Sequence, residues 1–311
     1  MAEAAPTTQM LLLPVAVLAI ALYVGHPALA LALGGILALG FDREMLPRSG
    51  YYGKLLLQTA VVLLALKLDL GTIVKVSGDF LPIVAGYVCL TLALGLLLGR
   101  FLGTELKSAQ LLSAGTAICG GTAVASLAPV IRASAGQISS VLALVFLLNA
   151  VAIISLPSVG ALLNMSQQQF GLWVALAVHD TSSVVGTAAA YGDEALALAT
   201  TIKLGRTLWL IPLLVGWGML ASSGKSKIGV PGFVLLFAGV AALNGLVALP
   251  PLVGEIAAPL SRWLLLAALF CIGLDLRRDT LRSISPSLLL HAVGLWLIVL
   301  PVTAFVALRF G

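Results

Sequence analysis

Apolar stretches recur along the chain roughly every 25 to 30 residues, separated by short connections rich in Gly, Pro, Lys and Arg. The candidates span roughly 8–25, 27–41, 53–68, 80–100, 108–131, 136–157, 170–192, 194–221, 232–250, 261–276 and 284–308. Each is close to the ~20 residues a helix needs to cover the hydrocarbon of a bilayer. The pattern predicts an all-α polytopic membrane protein with about 11 transmembrane segments, because only self-bonded backbone crosses lipid.

Composition narrows this further. Of 311 residues, 60% are hydrophobic and only 9% charged, against about 25% charged in soluble domains. The reading is one integral membrane domain over residues 1–311, with almost no soluble part. The first segment does not read as a secretory signal, since its flank carries Glu3 and no Lys or Arg. Cys89, Cys119 and Cys271 are dispersed in apolar segments, so neither a disulfide framework nor a metal site is expected. The net charge of +5 sits in short loops and reads as a topology signal, not as a nucleic-acid surface. The most basic connections hold Arg43, Arg48 and Lys54; Arg100 and Lys107; Lys225 and Lys227; and Arg277, Arg278 and Arg282. Placing all four in the cytoplasm puts the N-terminus inside and the C-terminus outside. Asp193 and Glu194 then fall outside.

The chain also echoes itself. Lys67–Val74 resembles Gly273–Leu281, aligning Asp69 with Asp275, and Leu33–Gly40 resembles Phe237–Asn244 at nearly the same offset. Segments two to four thus pair with nine to eleven in opposite orientation, making 232–308 an inverted counterpart of 27–100. Gly120–Ser126 faintly resembles Val185–Tyr191. On this reading 27–157 is a first repeat, and 170–221 holds the second repeat's core segments with a helix break. Segments five and six would match seven and eight in the same orientation by simple counting. They would be inverted if five and seven were re-entrant hairpins, and loop charge fits both versions.

Two Gly- and hydroxyl-rich strings interrupt the apolar pattern, Thr116–Ser126 and His179–Gly192. Non-helical backbone is tolerated at membrane depth only where protein or a wet cavity satisfies it, which points to discontinuous helices, broken or re-entrant, around a polar site. Gly120 and Gly121 permit unusual dihedrals, Thr116 and Thr122 can bond freed backbone, and a second half-helix would aim unpaired N–H groups at an anion. His179 and Asp180 lie near mid-membrane and are candidates for proton coupling. Asp180 with Thr181, Ser182 and Ser183 also reads as a helix N-cap. Lys203 and Arg206 share a helix face and need a carboxylate, carbonyls or an anion. Asp180 is a plausible partner for Lys203, and Arg206 could hold an oxyanion bidentately. Asn149 could face the same cavity. His26, Gln58, Asn244 and His291 read as packing hydrogen bonds, Asp69 and Asp275 as caps or pairs. No nucleophile elbow, phosphate loop or dinucleotide fingerprint is found, so an enzyme is not expected, nor a cofactor or metal.

Ala117–Ile131, His179–Gly192 and Lys203–Leu213 carry a resemblance, extending over essentially the whole chain, to the YeiH-type family of bacterial inner-membrane proteins proposed as sulfate exporters. That family belongs with the sodium/proton antiporters and bile-acid symporters. The resemblance implies two inverted repeats, a core with crossing discontinuous helices and a panel domain. Gly120, Gly121, Thr122 and Ala123 match a Pro-Gly-Gly-Thr-Ala-like string at one break of the bile-acid branch, with Cys119 in place of proline. His179-Asp180 replaces that branch's Gln-Asn, which favours a proton over sodium.

The function expected is a secondary transporter of a small anion, sulfate or a sulfonate, working by alternating access in the inner membrane. The expected site comprises Thr116, Cys119, Gly120, Gly121, Thr122, Asn149, Thr181, Ser182, Ser183, Lys203 and Arg206, with His179 and Asp180 for the proton. A second copy of the chain could join through segments two and nine. An anion channel on the same scaffold, or a ligand-sensing membrane subunit, are the rival readings.

Overall fold

The computed structural model describes residues 8–41, 46, 48–67, 70–220, 232–247, 250–274 and 284–311. Glu3, Arg43, Asp69, Lys225, Lys227, Asp275, Arg277, Arg278 and Arg282 lie outside the described residues. The chain is an all-α polytopic membrane protein. Its helices α5 (Leu81–Phe101), α8 (Ala135–Leu162), α14 (Pro251–Leu274) and α15 (Pro286–Phe310), and the run 193–219, are long and apolar enough to cross a bilayer.

Two compact units divide it: Met1–Asp69 with Leu236–Asp279, and Leu70–Leu235 with Thr280–Gly311. The first holds α1 (Thr8–Val24), α2 (Pro27–Phe41), α3 (Ser49–Leu64) and most of α13 (Gly232–Val247), together with α14. Small residues let α14 approach its neighbours closely, as membrane helices require. A Cβ on Gly34 would strike Phe270 O, one on Gly273 would strike Leu31 O, and one on Gly53 would lie 3.1 Å from Cys271 Cβ. Ser261 donates to Ala60 O at 2.7 Å.

The second unit begins with α4 (Leu70–Asp79), a short helix the hydropathy pattern did not isolate, and continues through α5. Then come α6 (Leu106–Ala117) and α7 (Gly121–Val130), α8, α9 (Gln167–Ala177) and α10 (Thr181–Ala189), α11 (Asp193–Thr207) and α12 (Leu210–Leu220), and finally α15. Segments five and seven are therefore both broken, and each turns back on itself. Lys107, at the start of α6, donates to Arg132 O just past α7 at 2.8 Å. Gln137, at the start of α8, donates to Glu105. Helices α6 and α7 thus enter and leave on one side. The second break behaves likewise: Tyr191 donates to Met165 O at 2.6 Å, and Gln167 Oε1 accepts from Glu194 N at 3.0 Å. Phe170 and Tyr191 stack with ring centroids 3.8 Å apart.

The hairpins enter from opposite sides. Helix α15 fixes this, since Thr104 donates to Ser287 O near its start while Gln169 donates to Leu308 O near its end. Ser134 and Ser166 start α8 and α9 with capping boxes completed by Gln137 and Gln169, which satisfies orphan N–H groups in the first turn of each helix.

Candidate functional site

The first break is made by Ile118, Cys119 and Gly120. Gly120 has φ 59° and ψ −118°, a conformation open to glycine because a Cβ would collide with its own backbone. The second break is extended: Val178 has φ −92° and ψ 136°, and Asp180 φ −95° and ψ 146°. The two tips touch. A Cβ on Gly120 would lie 3.1 Å from Asp180 Cβ and 3.2 Å from Asp180 N. Helix α8 runs beside both tips, with Leu142 and Phe146 against Gly121 and Asn149 at His179.

Ending a helix in mid-membrane orphans its last carbonyls, and lipid offers them no donors. At α9 the account closes almost entirely on two cations and a tryptophan. Ala175 O and Leu176 O accept from Arg206 Nη1 at 2.9 and 2.8 Å. Ala177 O accepts from Trp296 Nε1 at 3.2 Å, and Val178 O from Lys203 Nζ at 2.8 Å. At α6, Thr116 O accepts from Arg206 Nη2 and from the Tyr87 hydroxyl, each at 3.1 Å. Ile118 O accepts from Arg206 Nε at 2.5 Å, and Gly115 O from Gly120 N at 2.9 Å. One guanidinium therefore ties together the C-terminal ends of both half-helices, where a cation is also favoured by the negative end of each dipole. It lies 4.8 Å from the Tyr87 ring centroid.

Of the partners expected for the two cations, the structure uses carbonyls. Arg206, expected to grip an oxyanion, gives its donors to four backbone carbonyls. Lys203, expected to pair with Asp180, donates to Val178 O and lies near enough to Asp180 for the two charges to interact. Both are 0% exposed, so neither snorkels. Asp180 instead caps α10, its Oδ2 accepting from Ser182 N at 3.2 Å and from the Ser182 hydroxyl. Of the other expected residues, Cys119, Thr116, Thr181, Ser182 and Ser183 are buried, Thr116 and Ser183 engaging through their carbonyls. Gly121 and Thr122 are half-buried on the first turn of α7, whose start has no side-chain cap.

Asn149 and His179 are each 1% exposed. Asn149 Oδ1 lies 3.1 Å from His179 N and 3.0 Å from His179 Nδ1. Among the described residues, Asn149 Nδ2 and His179 Nε2 have no partner. His291, expected to make a packing hydrogen bond, is also buried and packs against the backbone at Gly95 and Gly99. A Cβ on Gly99 would stand 2.7 Å from its Cε1.

Tyr87 and Trp296 were not anticipated. Their signal was chemical: a buried hydroxyl or indole N–H needs an acceptor, and broken helices supply surplus carbonyls. A cavity of about 300 Å³ beside Arg206, lined by Phe80, Val84, Ile202 and Trp209 among others, is largely apolar and includes none of the tip residues.

Residues 9–292 match the family model described as Conserved hypothetical protein 698. The chain is 40% identical to a UPF0324 membrane protein of Bdellovibrio bacteriovorus, over 88% of this chain and 86% of that one. It is 41% identical to one of Porphyromonas gingivalis, over 88% and 84%, and 38% identical to one of Geobacter sulfurreducens, over 90% and 89%. No solved structure matches the chain. With a family model over most of its length and such relatives, the chain belongs to the UPF0324 family of membrane proteins, the YeiH-type family.

Proposed function

We propose that the protein is a secondary transporter that moves a small anion across the bacterial inner membrane by alternating access, coupled to protons and not to sodium. One observation carries the reading. Two hairpins enter from opposite sides, and their tips meet at Gly120 and Asp180. Such paired, oppositely directed breaks serve alternating access, because one polar junction can be opened from either side. The cations Lys203 and Arg206 anchor the C-terminal ends of the first half-helices. The N-terminal, positive end of α7, which no side chain caps, remains at the junction to favour a negative solute, whereas that of α10 is taken by the Asp180 carboxylate. In this reading Lys203 and Arg206 build the site, while Gly121, Thr122, Asn149 and Thr181 line it.

The repeat supports the same reading. Hairpin and following helix recur as α6–α8 and α9–α12 from opposite faces of the membrane, so segments five and six match seven and eight by inversion. Sulfate or a sulfonate is the substrate class taken from the family resemblance, and no enzymatic activity is proposed. A second copy of the chain, docked through segments two and nine, is the proposed assembly.

The test is flux of labelled sulfate into proteoliposomes with an imposed pH gradient. Saturable uptake that follows the gradient is expected. Non-saturating electrogenic current would make the protein a channel, and ligand binding without flux would make it a sensor; either outcome overturns the proposal.

A further inference from the structure

The pair Asn149–His179 carries more information than its burial suggests. A backbone N–H can only donate, so the Asn149 edge facing His179 N must be its carbonyl oxygen. That fixes the amide orientation. The same oxygen lies 3.0 Å from His179 Nδ1 and can only accept, so Nδ1 carries the hydrogen. In the neutral ring Nε2 is then a bare lone pair, and among the described residues it has no donor. On the other edge of the pair, Asn149 Nδ2 is a donor that finds no acceptor among those residues. Two groups of opposite hydrogen-bonding sense are thus unfilled at the second tip, both on residues 1% exposed. Burial without partners is costly to a polar group, and lipid supplies no remedy. Beside them, the first turn of α7 has no side-chain cap, and its break touches Asp180.

From this geometry we infer that the anion binds together with one proton: an oxyanion oxygen accepts from Asn149 Nδ2, and the proton lies between His179 Nε2 and a second oxyanion oxygen. The ligand class is a small oxyanion, either arriving protonated, as hydrogen carbonate does, or bound beside a protonated His179, as sulfate would be. No bond is broken; one proton and one anion enter as a unit. The inference rests on the transporter reading and assigns the coupling proton to His179, since the Asp180 carboxylate is engaged in capping α10. The charged groups around His179 are Asp180 on its own break and Lys203 and Arg206 on α11; Cys119, on the facing break, lies near Asp180 and the same two cations. From α8 it meets the neutral Asn149.

The experiment is the thermal stabilisation of the detergent-purified full chain by sodium sulfate and by sodium hydrogen carbonate across neutral pH. One linked proton requires the apparent sulfate Kd to rise about tenfold per pH unit, whereas hydrogen carbonate, bringing its own proton, changes far less. His179→Gln should flatten the sulfate profile, and Asn149→Asp, which keeps the acceptor edge but turns the donor edge into a second acceptor, should abolish binding of both. Each variant's melting without anion reports whether it folds, and the unsubstituted protein's slope decides the matter even where a variant does not. Saturable sulfate binding with a flat pH profile in the unsubstituted protein would overturn this inference and leave the transporter reading standing. Absence of binding and flux for every oxyanion would overturn both.

Discussion

Arg206 illustrates how one buried charge can be structural without a counter-ion. A guanidinium offers five N–H donors in a planar fork, and Thr116, Ile118, Ala175 and Leu176 take four of its bonds through their carbonyls. Removing it would break all four bonds and leave Ile118, Ala175 and Leu176 O unpartnered at membrane depth, Thr116 O keeping the Tyr87 hydroxyl. Each such loss costs about 1–3 kcal/mol in water-soluble proteins, and interhelical bonds in bilayers average nearer ~0.6 kcal/mol. Even the smaller figure, taken over four bonds, gives about 2 kcal/mol. Arg206→Ala should therefore lower the melting temperature in the absence of any anion, and Arg206→Lys, a point charge with three donors, should recover part of the loss. A residue whose role was only to hold substrate would melt unchanged when replaced. Unaltered melting of Arg206→Ala would remove the guanidinium from the scaffold.

Among the elements, the two hairpins show what the sequence could and could not disclose. The breaks were legible: Gly-Gly at 120–121 permits backbone no other residue adopts easily, and Asp180 before three hydroxyl residues is an N-cap pattern. The return path was not. With 12 and 10 residues, α6 and α7 laid end to end are long enough, at about 1.5 Å per residue, to cross the hydrocarbon. Length alone cannot separate a crossing from a hairpin, and only contacts between distant residues, Lys107 with Arg132 or Tyr191 with Met165, decide it. The partners of the freed carbonyls were hidden for the same reason, being as far apart in sequence as Trp296 and Ala177. Those aromatic donors support a graded expectation. Thr116 O accepts from both Tyr87 and Arg206, whereas Ala177 O accepts, among the described residues, from Trp296 alone. Trp296→Phe should destabilise by about 1–3 kcal/mol, since it orphans an acceptor, and Tyr87→Phe by about 1 kcal/mol or less, since its carbonyl keeps a donor. Thermal melts of the two variants, compared side by side, check the order; equal losses would mean the carbonyl account is not what governs them.

At the scale of the whole molecule, the units sort the internal repeat. Segments two, three, nine and ten fall in the first unit apart from the start of α13, and four, five, six, seven, eight and eleven in the second. Each proposed pair thus stays within one unit, which is compatible with the proposed inverted repeat. Because each hairpin begins and ends on one side, the hairpins are compatible with the proposed cytoplasmic placement of the basic loops, and Arg132 would join that set. This makes sidedness testable at positions flanking the hairpins. Arg100, Gly136, Leu163 and Asp193 are exposed and can be replaced singly by cysteine, after Cys89, Cys119 and Cys271 are changed to alanine. Arg100→Cys and Gly136→Cys flank the first hairpin and should react with a membrane-impermeant maleimide only in inverted vesicles. Leu163→Cys and Asp193→Cys flank the second and should react only from the periplasmic side of intact spheroplasts. A straight crossing of α6 and α7 would place positions 100 and 136 on opposite sides of the membrane, so opposite labelling of that pair is incompatible with a hairpin. Reversed labelling of all four would instead keep the hairpins and invert the orientation, placing the N-terminus outside and turning the basic loops against the charge bias that normally fixes them.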